Sequence, residues 1–272
     1  MSQLRNFAFL ALAGATLGLA GPAAAQVKAW NFGDTSTPGA CTGSYSTAAN
    51  SNFGNTINCS QQPDGQTTDL WARAYSSTAS GSTFANAGIN QQGVGSGFGV
   101  WNRSEDRNSG APHHAMDNST PGIDMLLLQF TAAEVLKTVT IGWSGTDGDF
   151  QVLRWTGASN ASFSTVNTSI VGKTANNLVA ANGGWELVTL VDGAGNINTP
   201  DVVYGVNAGN ASSSFWLISA YNSGFGGSGA TSGIDAIKVL GVTTGIPVSA
   251  PGSLALAGLG LLGAGVVRRR RS

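Results

Sequence analysis

Much of the chemistry available to this chain is crowded between two strand-like runs, Gly97–Trp101 and Ile123–Phe130. Glu105, Asp106, His113, His114, Asp117, Asn118 and Asp124 all fall in or at the edge of that interval. Carboxylate and amide oxygens gathered in one loop are the donors that Ca²⁺ prefers, in sets of roughly six to eight. The candidate calcium ligands are Glu105, Asp106, Asp117, Asn118 and Asp124. Asp235, just ahead of the last strand-like run, is placed to join them from a sheet edge. Their spacing matches no EF-hand loop. The competing reading is ordinary turn chemistry, in which Asp117 and Asn118 cap a bend before Thr120-Pro121-Gly122. His113 and His114 point to opposite sides of an extended segment, which disfavours joint zinc ligation with Asp117.

A second pair of acids, Asp147 and Asp149, lies in Gly145-Thr146-Asp147-Gly148-Asp149. Paired carboxylates can hydrolyse a glycoside, but this stretch reads first as a turn entering a strand. No G-x-S-x-G, H-E-x-x-H or other nucleophile–base signature occurs, so no enzymatic activity and no catalytic residue are expected. The only two cysteines, Cys41 and Cys59, have no neighbouring histidine or second cysteine pair. In an exported chain they are expected to form a disulfide. Aromatic faces are the remaining candidates. Trp71 with Tyr75, and Trp143 with Ile141, are expected to share strand faces, and such rings can stack on sugars. Most of the seven tryptophans are nevertheless expected in a core.

These residues must be positioned by strands. Short branched and aromatic runs, separated by Gly, Ser, Asn and Thr, predict strands over 27–32, 68–75, 97–101, 123–130, 139–143, 150–155, 185–191, 202–206, 215–221 and 234–242. Trp185, Leu187, Thr189 and Val191 alternate with Glu186, Val188 and Leu190. The unbroken apolar run of 123–130 predicts a strand covered on both faces. Thr131–Thr138 alone reads as a helical turn or short helix. Ten short strands without a repeat predict an all-β fold, a single jelly-roll-like β-sandwich over residues 26–245.

The ends of the chain have a different character. Arg5, the apolar run Phe7–Leu19 and Ala23-Ala24-Ala25 read as a signal peptide over residues 1–25, cleaved before Gln26. At the other end, residues 246–272 hold Val248-Ser249-Ala250-Pro251-Gly252, an uncharged stretch Ser253–Val267, and Arg268, Arg269, Arg270 and Arg271. As a helix that stretch spans roughly 22 Å, a tight fit to a bilayer core that calls for about twenty apolar residues. Four arginines behind it are expected to stay in the cytoplasm. A buried core helix would be expected to carry a polar face, and this one has none.

This tail resembles the PEP-CTERM sorting signal of Gram-negative bacteria, in which a Val-Pro-Glu-Pro motif precedes a short membrane helix and an Arg cluster. Here Ser249 and Ala250 stand where Pro and Glu are usual, while Val248, Pro251 and the following Gly252-Ser253-Leu254-Ala255-Leu256 match. The resemblance covers about a tenth of the chain. It implies an exosortase-type membrane protease as partner, a transient stay in the inner membrane, and release to a cell surface or matrix that contains exopolysaccharide. The body of the chain also resembles exosortase-dependent surface proteins with a β-rich domain. The matching stretches are Gly99–Arg103, His114–Asn118, Asp124–Phe130, Phe215–Asn222 and Gly233–Asp235.

Charge narrows the partners. Arg5 and Arg268–Arg271 account for five of the thirteen basic residues, and neither terminal segment holds an acid. Residues 26–250 therefore carry eight basic and fourteen acidic side chains, net −6. Such a surface offers nothing to offset phosphate charge, so nucleic acid is not an expected partner. Two functions compete: a noncatalytic surface or matrix protein, and a glycan-binding or glycan-modifying module delivered by the same route. Neither requires a cofactor other than the candidate calcium.

Overall fold

The run Asp124–Ser144 explains the architecture. Its first part alternates Leu126, Leu128 and Phe130 on one face with Met125 and Leu127 on the other, and all five are buried. A computed structural model describes residues 27–33, 40–47, 52–61, 67–77, 82–91, 95–104, 112–119, 122–198, 201–230 and 233–246. The expected signal peptide, the sorting motif, the apolar stretch and Arg268–Arg271 lie outside these residues, as do Glu105 and Asp106. Among the described residues no helix is long and apolar enough to cross a membrane.

Fourteen strands and two α-helices are described. In chain order they are β1 (Val27–Asn31), β2 (Cys41–Thr42), β3 (Ile57–Gln61), β4 (Thr68–Ser77), β5 (Phe84–Asn86), β6 (Gly88–Gln91), β7 (Phe98–Trp101), β8 (Met116–Asp117), β9 (Asp124–Ser144), β10 (Phe150–Trp155), α1 (Phe163–Ile170), α2 (Ala175–Val179), β11 (Trp185–Val191), β12 (Val202–Gly205), β13 (Ser213–Ala220) and β14 (Ala236–Gly245). All ladders between these strands are antiparallel. The chain is mostly β, as its punctuation predicts.

β9 belongs to two halves of one curled sheet. Its first half pairs with β4 on one edge and β13 on the other, and β10 and β11 continue outward from β13. Its second half pairs with β14 and β12. β1, β7 and β8 share the free edge of β14. The two halves enclose one apolar core. Leu126, Leu128, Trp216 and Ile218 come from one half, and Trp30, Val139, Ile141, Val239 and Val242 from the other. Trp30 and Phe130 meet across it with ring centroids 5.9 Å apart. A second core covers the opposite face of the first half, where Tyr75, Met125, Leu127 and Leu217 pack beneath Val166, Ile170 and Leu178 of the helices.

Thr131–Thr138 is strand, not a helical turn. Backbone pairing decides the matter: Thr138 pairs with both Gly205 and Thr243, and Val135 with Gly245. A local helix would forfeit those partners, and Thr131, Val135 and Thr138 are β-branched. Here Glu134 is buried and accepts a bond from Lys28 Nζ of β1. The helices lie elsewhere. Ser162 caps α1 by accepting from the Thr165 N–H, and Thr174 with Asn177 forms a capping box on α2.

Cys41 and Cys59 form the expected disulfide, directly opposite one another in the β2–β3 pair. Closing an 18-residue separation is expected to contribute about 3 kcal/mol, mainly by restricting the unfolded chain. Cys41→Ser should lower the unfolding free energy by that amount in urea titrations. Two alkylatable thiols in the freshly isolated native protein would refute the disulfide.

Of the tryptophans, Trp30, Trp101, Trp185 and Trp216 are buried, and Trp71, Trp143 and Trp155 are half-buried. Trp143 and Ile141 do not share a face. The β9–β14 register shifts at Gly142, so that Trp143 pairs with Lys238 while Ile141 pairs with Val239. Ile141 enters the core, and Trp143 lies beneath the Lys238 ammonium, 5.5 Å from its ring centroid.

Candidate functional site

Three carboxylates meet where β9 turns into β10. Asp147 and Asp149 occupy that turn, and Asp235 precedes β14 and bridges to Asp147. One ligand oxygen from each lies within 4.8 Å of the others. Glycine allows the approach. The loop after β11 lies so close to the turn that a Cβ on Gly193 would sit 1.9 Å from the Gly148 carbonyl oxygen, and one on Gly195 2.0 Å from that of Thr146. Gly193→Ala is therefore expected to cost at least about 2 kcal/mol in urea unfolding. A variant as stable as the parent would show that the loop is free to move away.

Hydrogen bonds bind the acids into a clasp. Asp235 Oδ1 accepts from the Asp149 N–H at 3.1 Å, and its Oδ2 from Asn118 Nδ2 at 2.6 Å. Asn118 returns the contact: its Oδ1 accepts from the Asp235 N–H at 2.8 Å, and its own N–H donates to the Asp235 carbonyl at 3.1 Å. Asn118 Nδ2 also donates to the Tyr221 carbonyl at 3.1 Å. Asp149 Oδ1 accepts from the Gly193 N–H at 2.8 Å. The clasp thus joins β8, the β9–β10 turn, the end of β13 and the start of β14.

Burial raises the pKa of Asp235 to about 7, the negative charges of Asp147 and Asp149 push the same way, and the bonds from the Asp149 N–H and Asn118 oppose the rise. Asp149 and Asp235 are fully buried, and only Asp147 is partly open. These three are the donor set among the described residues that could hold a small cation.

The expected calcium ligands are divided among different surroundings. Asp117 is fully buried beside Asp124, whose Oδ2 lies 3.5 Å from the Asp117 N–H. Asp117 Oδ1 accepts from both the N–H and the hydroxyl of Ser119, at 2.8 and 2.5 Å. Burial raises the Asp117 pKa, against the lowering effect of those two bonds and of His113. Asn118 belongs to the Asp235 clasp. Adjacent residues of an extended segment point apart, so Asp117 and Asn118 serve different groups. Asp147 and Asp149, which read as a turn, join Asp235 instead. Their D-G-D pattern and Asp235 each stand out in the sequence, but the sequence sets Asp235 beside Asp117 and Asp124 and does not foretell its meeting with Asp147 and Asp149.

His114 is buried with its ring 5.1 Å from that of Trp101, an aromatic packing contact. Beside the clasp, Trp143 lines an open cleft of about 260 Å³ with Pro112, Thr146 and Ile234.

No family model and no curated protein matches the chain. Among solved structures, the family 32 carbohydrate-binding module from Streptococcus pneumoniae EndoD is similar over 62% of this chain and 97% of its own, at 11% identity and a TM-score of 0.25. So shallow a likeness says nothing of this chain's function.

Proposed function

We propose that this chain is an exported, noncatalytic cell-surface or matrix protein. Its β domain, a jelly-roll-like sandwich, is held briefly at the inner membrane by the tail, processed by an exosortase-type protease, and left in contact with exopolysaccharide. The observation that carries this reading is the order of features in 248–271: a Pro-bearing motif, an uncharged apolar stretch, and four consecutive arginines. The Cys41–Cys59 disulfide supports export, because disulfides persist in oxidising compartments. The clasp supports a structural role for the acids, since their oxygens are engaged by backbone and amide donors.

The test is localisation of the full chain in a host with an exosortase-type system. Replacing Arg268–Arg271 by Ser should weaken membrane retention and the accompanying mass shift of processing. Unchanged fractionation and processing in that variant would overturn the reading. A second function, a glycan-binding module delivered by the same route, is favoured by an uncharged cavity elsewhere on the domain.

A further inference from the structure

A cavity of about 270 Å³ opens on the helix-covered side of the sheet. Phe84 and Ile123, 2% and 7% exposed, form its apolar floor, and Ser82, Asn176, Asn222 and Ser223 line its polar part. None of its lining residues carries a charge.

The cavity is built of fixed parts. The Phe84 ring stacks on Phe225, centroids 6.2 Å apart and planes within 3° of parallel. The Phe84 backbone is held from both sides: its N–H donates to the Lys173 carbonyl at 2.8 Å, and its carbonyl accepts from the Gly172 N–H at 2.9 Å. Across the opening, Asn222 caps the 3₁₀ turn Ser223–Phe225 by accepting from the Gly224 N–H at 2.7 Å. The Asn222 N–H in turn donates to Gln151 Oε1 at 2.8 Å. That use of Asn222 Oδ1 leaves its Nδ2 as a donor for a ligand. Gly224 lets the turn approach α2, since a Cβ there would lie 2.9 Å from both Ala175 Cβ and Asn176 Oδ1. The side chains of Asn176 and Ser223 are exposed.

Uncharged amides and hydroxyls around a small apolar floor match one class of ligand. A pyranose offers alternating hydroxyl donors and acceptors at its edge and C–H groups on its face. An anionic ligand would call for Arg or Lys, and a cationic one for carboxylates, and the lining has neither. The volume lies just below the range of drug-sized sites, which suits a single sugar ring. We propose that this cavity binds one neutral hexopyranose unit of a polysaccharide. The proposal rests on the glycan-binding reading and gives that reading a site.

The test is isothermal titration of the full chain in detergent micelles with methyl glycosides of glucose, galactose and mannose, and with glucuronate and glucosamine. At least one neutral glycoside should bind, with the charged sugars about tenfold weaker or worse. Asn176→Ala and Ser223→Ala should each weaken binding about fivefold, by loss of one hydrogen bond. Both side chains are exposed, so melting should stay at the parent temperature, and Trp143→Ala should leave affinity unchanged. Preference for a charged sugar, or undiminished affinity in both rim variants, would overturn the site. Loss of binding in Trp143→Ala alone would move the ligand to the other cleft and keep the glycan reading. Failure of every sugar to bind would end both.

Discussion

Lys28→Met should destabilise the domain by about 3–5 kcal/mol, measured as a lowered midpoint in urea unfolding. Lys28 Nζ donates to Glu134 Oε1, and the two side chains are 8% and 5% exposed. The pair ties β1 to β9 near the crossing between the two halves of the sheet. Removing the ammonium leaves a carboxylate in a site nearly without water, and its desolvation is then uncompensated. Removing both charges should cost much less. The double variant Lys28→Met/Glu134→Leu substitutes apolar groups of similar length, which is often neutral for a buried pair. It is expected to recover most of the loss. Equal or greater destabilisation in the double variant would mean that Lys28 matters for its packing and not for its charge.

The second large effect is on pH. Asp235 holds its proton up to about 7 in the folded chain, against an ordinary value of 3.8. Between those two values the folded state keeps a proton that the unfolded state has released. The contribution to stability is therefore fully present below 3.8 and is lost as pH rises toward 7. A tenfold difference in proton affinity between the folded and unfolded chain is worth about 1.4 kcal/mol, so the clasp should weaken by about 2–4 kcal/mol from pH 4 to pH 8. Asp117, whose pKa is also raised, adds to the same trend. Asp235→Asn should make the pH slope of unfolding free energy shallower by up to about one proton over pH 5 to 7. An unaltered slope would show that Asp235 ionises normally. Repeating the titration in millimolar CaCl₂ tests whether Asp147, Asp149 and Asp235 hold a cation. A cation held by Asp147, Asp149 and Asp235 would move the loss of stability to lower pH and raise stability at neutral pH by mass action. Superimposable curves would leave the three acids as a hydrogen-bonded clasp.

Strands with strong local patterns were legible in the sequence. β4, β10 and β11 fall where branched and aromatic runs lie between turn formers, within a few residues of their predicted limits. β3, β5, β6 and β8 were not, because runs such as Gly88-Ile89-Asn90-Gln91 carry little alternation. They are extended because a neighbour accepts their hydrogen bonds, as β7 does for β6. The two helices escaped notice for the opposite reason. At eight and five residues they are too short for a clear period, and only the caps at Ser162 and Thr174 marked them.

The sequence by itself determined quantities that need no geometry. With only two cysteines there is one possible intramolecular disulfide, and it is present. Composition and turn punctuation determined a mostly β chain, and the count of charges determined an acidic body. Tertiary structure alone decided which acids meet. Asp149 and Asp235 are 86 positions apart, and Asn118 and Asp235 are 117 apart. Their contact depends on the pairing of β14 with both β8 and β9. A shift of one residue in that register would turn each side chain to the other face of the sheet, and no local property of the chain encodes the register.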